Sequence, residues 1–177
     1  MKALLDRGAR INATTIDKQT ALYEAARQGH IEIVKVLLDR GARTDIAHSV
    51  SLKQTAIHIA AARGHIEVMK VLLDTGASID ARDSSGWAAL HTAAWAGHIE
   101  VVELLLERGA SIDATDKWGD SALHSASTCR HARVVQLLLD HGANIDRKNK
   151  ERKTALGIAR EFGWEYGVEL LTARRRA

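Results

Sequence analysis

The sequence has no proline, a single cysteine and few aromatic residues, with Phe, Trp and Tyr making up 4% of its 177 residues. One cysteine, Cys129, excludes an intrachain disulfide, a cysteine-built zinc site and a C-x-x-C redox pair. It points to a reducing compartment, cytoplasmic or nuclear. No run of about 18 apolar residues occurs, so nothing reads as a membrane span. The opening MKALLDRGARINA is too polar for a signal peptide. Charge of one sign is also lacking. The net charge is +3, owed partly to Arg174, Arg175 and Arg176, and acids and bases are mixed along the chain. A nucleic-acid binder would carry a basic stripe instead. The hydrophobic 46% is therefore mostly Ala, Leu, Ile and Val, which suits closely packed helices better than a β-sandwich.

What is present is a repeat. Gly-Ala recurs at Gly8, Gly41, Gly76, Gly109 and Gly142, in steps of 33, 35, 33 and 33 residues. A second marker keeps the same beat in Thr20-Ala-Leu-Tyr, Thr55-Ala-Ile-His, Ala88-Ala-Leu-His, Ser121-Ala-Leu-His and Thr154-Ala-Leu-Gly. A third is Gly-His at Gly29, Gly64 and Gly97, with Arg130-His131 and Gly163-Trp164 in the same phase. Chance does not align three markers on one period.

Residues 83–115 show what one unit does. Asp83-Ser-Ser-Gly86 is turn chemistry. Ala89 to Ala96 is a short Ala-rich helix stopped by Gly97. Ile99 to Arg108 places Val101, Val102, Leu105 and Leu106 on one helical face. Gly109 stops it, and Ser111-Ile-Asp-Ala runs out extended. Neither helix can bury its apolar face alone, so neighbouring units stack into one continuous core.

These residues resemble the ankyrin repeat, whose pattern is T-P-L-H-x-A-A, then G-H, a leucine-rich second helix and G-A-D-x-N. Ser121-Ala-Leu-His124-Ser-Ala126 and Gly97-His98-Ile-Glu-Val-Val carry the match. The resemblance covers essentially the whole chain. It implies an all-α solenoid of stacked helix-turn-helix units joined by hairpin-like loops. The expected units are a partial one at 1–14, full ones at 15–49, 50–82, 83–115 and 116–148, and a capping one at 149–177.

Departures from the pattern carry expectations of their own. Alanine replaces the family's proline at Ala21, Ala56, Ala89, Ala122 and Ala155. Thr20, Thr55, Ser121 and Thr154 can cap the first helices through their hydroxyls, whereas Ala88 cannot. The long step places two extra residues within 46–54, where Lys53 also stands in place of the turn glycine. Met1 to Gly8 reads as the end of a second helix. Phe162, Trp164 and Tyr166 read as a cap over the exposed end of the core.

Nine histidines invite a metal or catalytic reading, but seven of them fall on the repeat. His58, His91 and His124 belong to the second marker; His30, His65, His98 and His131 follow the glycine position. Once-per-unit residues lie about 10 Å apart along a stack, whereas zinc ligands converge to about 2 Å. Hydrogen bonds to neighbouring loops are the better reading. His48 and His141 stand outside the pattern, and His141 suits a helix C-terminus. Cys129 lies at the wrong end of its helix to be an activated nucleophile. No nucleotide-binding, serine-hydrolase or zinc-protease motif occurs, and nothing asks for a catalytic residue, a metal or a cofactor. Glu32, Glu67 and Glu100 are first-turn acids favourable to the helix dipole.

Tryptophan is what the repeat does not require. Trp87 precedes the first helix of its unit, Trp95 lies near the end of that helix, and Trp118 sits in the next loop. In the ankyrin family, loop tips and first-helix ends form the concave recognition surface. Exposed aromatics there are binding hot spots. The expected anchors are Trp87, Trp95 and Trp118, flanked by Arg63, Lys117 and Asp120, with Arg82, Ser85, Thr128 and Arg27 around them. The alternative is that the indoles lie flat across the loops and stiffen the array. The expected function is a monomeric protein-interaction scaffold, not an enzyme. The runner-up is a targeting module of a larger enzyme or effector, and nucleic-acid binding is a distant third.

Overall fold

The computed structural model describes residues 8–49 and 51–176, so the helix expected within residues 1–7 lies outside the described residues. Among the described residues are ten α-helices and no strand. They come in five pairs: α1 (Ala21–Gln28) with α2 (Ile31–Asp39), α3 (Ala56–Arg63) with α4 (Ile66–Asp74), α5 (Ala89–Ala96) with α6 (Ile99–Glu107), α7 (Ala122–Thr128) with α8 (Ala132–Asp140), and α9 (Ala155–Glu161) with α10 (Glu165–Arg176). The first helices contact one another in sequence and form one layer; the second helices form the other.

Side-chain size sorts the layers. Ala26, Ala60, Ala61, Ala93, Ala94, Ala126 and Ala159 are fully buried in the first-helix layer, where a larger side chain would hold neighbours apart. Val34 and Leu37, Met69 and Leu72, Val102 and Leu105, and Val135 and Leu138 fill the gap between layers. Each such leucine contributes about 1.5–3 kcal/mol by leaving water. The second helices α2, α4, α6 and α8 end in a Schellman motif: at α2, Gly41 is left-handed at φ 83°, its N–H reaches Leu38 O, and the Ala42 N–H reaches Leu37 O, both at 2.9 Å.

The first helices are capped in two ways. The Thr20 and Thr154 hydroxyls accept the backbone N–H of Tyr23 (3.1 Å) and Gly157 (3.2 Å), as expected. Thr55 and Ser121 do something else. A histidine stands three residues on, and their hydroxyls donate to its Nδ1, at 3.0 Å for His58 and 2.9 Å for His124. Ala88 has no hydroxyl, so only its backbone N–H reaches His91 Nδ1, at 3.3 Å.

Between successive pairs the chain forms a hairpin-like finger. Backbone bonds close the fingers at Thr15–Gln19, His48–Gln54, Asp83–Trp87, Asp116–Asp120 and Asn149–Lys153. The two extra residues thus sit inside the second finger, which spans 48–54 where the others span five residues. One backbone bond joins each finger to the next: Ser49 N–H to Asp17 O, Ser84 to Leu52, Lys117 to Ser85 and Lys150 to Trp118.

The expected aromatic cap is corrected in part. Trp164 is buried and packs against Gly167, but Phe162 and Tyr166 are 48% and 58% exposed. Phe162 follows directly on the end of α9, so its ring projects beside the fingers instead of over the core.

Candidate functional site

The fingers and the C-terminal ends of the first helices make one continuous face, and two sets of histidines hold it together. His58, His91 and His124 reach forward through Nε2 to the carbonyls of Trp87, Asp120 and Lys153, at 3.0, 3.2 and 3.1 Å. His65, His98 and His131 reach back to the carbonyls of Arg27, Ala62 and Trp95, at 3.2, 3.1 and 3.0 Å. Because His58 Nδ1 receives both the Thr55 N–H and its hydroxyl, the ring proton resides on Nε2. Burial pushes the His58 and His91 pKa values below the ordinary 6.5 and keeps both rings neutral. No group of three His, Cys, Asp or Glu side chains converges among the described residues. Burial also raises the Cys129 pKa, so its thiol is not activated.

Carboxylates order the fingers. Asp116 Oδ1 accepts the backbone N–H of Trp118 and Asp120, both at 2.8 Å, and Oδ2 accepts the Trp87 indole N–H at 2.9 Å. Asp83 serves the third finger in the same way, accepting the N–H of Ser85 (2.8 Å) and Trp87 (2.9 Å).

The three tryptophans fare differently. Trp87 is not the free loop-tip side chain its position suggested. It is half-buried, bonded to Asp116 and packed against Trp95 with ring centroids 5.5 Å apart, 6.4 Å from His91. Trp95 and Trp118 stand out at 45% and 56% exposure. Their backbones are pinned: the Trp95 carbonyl accepts from His131, the Trp118 N–H donates to Asp116, and the Trp118 carbonyl accepts from Lys150.

The other expected residues divide likewise. Arg63 and Lys117 are exposed on this face. Arg82 clamps the third finger to the fourth through the carbonyls of Gly86 (2.7 Å) and Thr115 (2.6 Å). The Ser85 carbonyl takes the Lys117 N–H, and Asp120 Oδ1 accepts the Asn149 side-chain amide at 2.8 Å. Thr128 donates to the His124 carbonyl at 3.0 Å. Arg27 pairs with Glu24 at 2.8 Å. Trp118, Asp120 and Thr128 meet at one cleft of about 360 Å³, whereas Arg27 and Arg63 lie units away.

Both the geometry and the sequence pattern repeat through the chain. Residues 43–116 match the family profile described as Ankyrin repeats (3 copies), and residues 1–38 and 96–139 match Ankyrin repeats (many copies). The chain belongs to the ankyrin repeat family. No curated protein matches it as a relative. Ankyrin repeats are in general modules of protein–protein interaction, and in this array no described helix is long and apolar enough to cross a membrane.

Exposed apolar residues that sequence reading did not place on this face are Ile16, Leu52 and Phe162, the last of which it read as part of the cap. Aligning the ankyrin register would have found two of them. Leu52 shares its fingertip position with Trp118, and Phe162 follows its Thr by the same eight residues that separate Arg63 from Thr55.

Proposed function

We propose that this ankyrin array is a non-catalytic, monomeric scaffold that binds a partner protein or peptide on the concave surface made by its fingers and first-helix ends. Its units are 15–49, 50–82, 83–115 and 116–148, with 149–177 as the closing unit. Trp95 and Trp118 are the anchors, with Arg63 and Lys117 beside them. Trp87, Arg82, Ser85, Asp120, Thr128 and Arg27 build the surface around those anchors and contact the partner at its edges. It works in the cytoplasm or nucleus, where its single thiol stays reduced.

One observation carries this reading. Two indoles are 45% and 56% exposed on backbones pinned from both sides. Exposing that much apolar ring costs solvation and contributes nothing to the core. Rigid aromatics lose little entropy on binding, which makes them efficient anchors. The test is retention from a source-cell lysate by wild type and by Trp95→Ala/Trp118→Ala, after circular dichroism shows equal helix content. A protein held by the wild type and lost by the variant is expected. Equal retention by both would move the binding surface off these anchors.

A further inference from the structure

The junction between the second and third units lacks a bond that the other junctions make. Asn12, Asp80 and Asp113 each accept a backbone N–H from the next unit, at 2.9, 3.1 and 3.0 Å, whereas Asp45 forms an ion pair with Arg43 at 2.6 Å. Asp80 shows what that bond can hold. Its carboxylate takes the Ser111 N–H at 3.1 Å and the Ser111 hydroxyl at 2.6 Å. Ser78 occupies the same place one unit earlier, and its N–H and hydroxyl have no hydrogen-bond partner among the described residues. A pair of donors that grips a carboxylate at the next junction grips none here.

Ser78 lines a cavity of about 260 Å³ between the two units. Thr44 leaves this space open by standing where Ile79, Ile112 and Ile145 pack against the core elsewhere. Ile57, Ala77 and Ala81 give the cavity apolar walls. Its charged lining residues are Lys53, Arg82 and Asp45, two cations against one acid. The Asp45 charge is matched by Arg43. Arg82 bonds to the neutral carbonyls of Gly86 and Thr115, and Lys53 has no ion pair among the described residues, so both positive charges stand uncompensated.

We infer that this cavity binds a carboxylate carried on a short branched apolar stem, the carboxylate held by Ser78 and Lys53 and the stem lying against Ile57 and Ala77 in the space that Thr44 leaves. The donors around Asp80 and Ser111 show the geometry, and bonds to an ionised acceptor are roughly twice as strong as neutral ones. The volume falls just below the roughly 300–1,000 Å³ of ordinary ligand pockets, which limits the stem to a few carbons. The same departures that weaken the joint build the site, a trade of stability for binding. Neither Trp95 nor Trp118 lines the cavity, so the site stands apart from the concave-surface reading. A free short-chain acid and the C-terminus of a peptide ending in leucine share this chemistry.

The test is an NMR titration of the backbone amides with isocaproate, its amide, acetate, and a short peptide ending in leucine with its C-terminus free or amidated. Isocaproate should move the Ser78 amide resonance, and isocaproamide and acetate should bind about tenfold more weakly. Tighter binding of the free-ended peptide than of isocaproate assigns the site to a peptide terminus, and the reverse assigns it to a free acid. Thr44→Ile and Ser78→Ala should each lose about tenfold. Asp45→Ala should bind at least as tightly as the wild type, whereas Arg43→Ala should weaken binding several-fold, because Asp45 is then released to take the Ser78 donors. Thr44→Ile also fills the joint, so a thermal midpoint no lower than that of the wild type separates lost binding from lost folding. Unchanged binding by Thr44→Ile overturns the inference. So does equal binding of each acid and its amide, or no response at Ser78 to either isocaproate or the free-ended peptide.

Discussion

The fourth finger, 116–120, and the second, 48–54, occupy the same place in the stack and are built from different chemistry. In the fourth, a buried aspartate gathers three N–H donors and Gly119 takes the left-handed turn position at φ 83°. In the second, the ring of His48 packs against Tyr23 with centroids 4.5 Å apart, and its Nδ1 is buried with no hydrogen-bond partner among the described residues. Lys53 takes the left-handed position at φ 51°, with Ser49 also left-handed at φ 61°. Below it, Thr44 stands where Ile11, Ile79, Ile112 and Ile145 pack against the core in the other units, and a cavity of about 260 Å³ opens beside it. The asparagine or aspartate that follows those isoleucines also behaves differently here. Asn12, Asp80 and Asp113 each accept a backbone N–H from the next unit, but Asp45 is turned to its neighbour Arg43. At this junction the Asp45 carboxylate gives up the inter-unit bond for a local one and the Thr44 site is under-filled, while the backbone bonds Ser49–Asp17 and Ser84–Leu52 still join the finger to both neighbours. Ankyrin stacking therefore tolerates one weak joint, because each unit still touches neighbours on both sides.

The sharpest way to break this comparison is to remove the two organising side chains. Asp116→Ala should cost about 3 kcal/mol in urea unfolding, since it strands buried donors that had a charged acceptor. His48→Ala should cost about 1 kcal/mol, the worth of one ring contact. Equal losses would mean that the fingers are equivalent after all.

The turn residues come next. An added Cβ at Gly119 would lie 3.0 Å from the Lys150 backbone nitrogen and carry a left-handed φ. Gly119→Ala should lose about 2 kcal/mol. Lys53→Gly relieves the same strain where it already exists and should gain about 0.5–1 kcal/mol, less than the full strain because glycine frees the unfolded chain. A destabilised Lys53→Gly would show that the lysine side chain holds the finger in place.

Thr44→Ile fills the cavity of the weak joint and should raise stability by about 1 kcal/mol, the worth of roughly one buried methylene group. An unchanged thermal midpoint would show that the side chain cannot turn into that space.

A pH titration probes the comparison with no substitution. His58 and His91 are buried and neutral, with pKa values below the ordinary 6.5 they would regain on unfolding. The unfolded chain then binds more protons below about pH 6.5, so their contribution is complete above that pH and is lost as the pH falls toward the folded values. Amide exchange should accelerate on acidification in α3 and α5, while α1, with Tyr23 at the histidine position, responds less. A uniform response along the array would sink this assignment.

Much of this was legible in the sequence. Helix positions followed from Gly97 and Gly109 as stops and from the spacing of Val101, Val102, Leu105 and Leu106. The structural role of the repeated histidines followed from their once-per-unit spacing. Side-chain direction was harder to read. Trp87 and Trp95 both read as exposed anchors, yet Asp116 draws the Trp87 ring inward from the next unit. Phe162 read as a cap, yet it flanks the candidate cleft. Thr55 read as a helix cap, which it is, but the ring of His58 shares the task by binding both its backbone N–H and its hydroxyl.

The sequence by itself determined the period, the helices and the ankyrin family, because helix faces and glycine stops are local and the repeat states them several times over. Only the tertiary structure decided which tryptophans are free and which finger side chains are tied to the next unit. Those outcomes depend on partners some 29–33 residues away, and a local pattern carries no record of where such a partner's side chain will point.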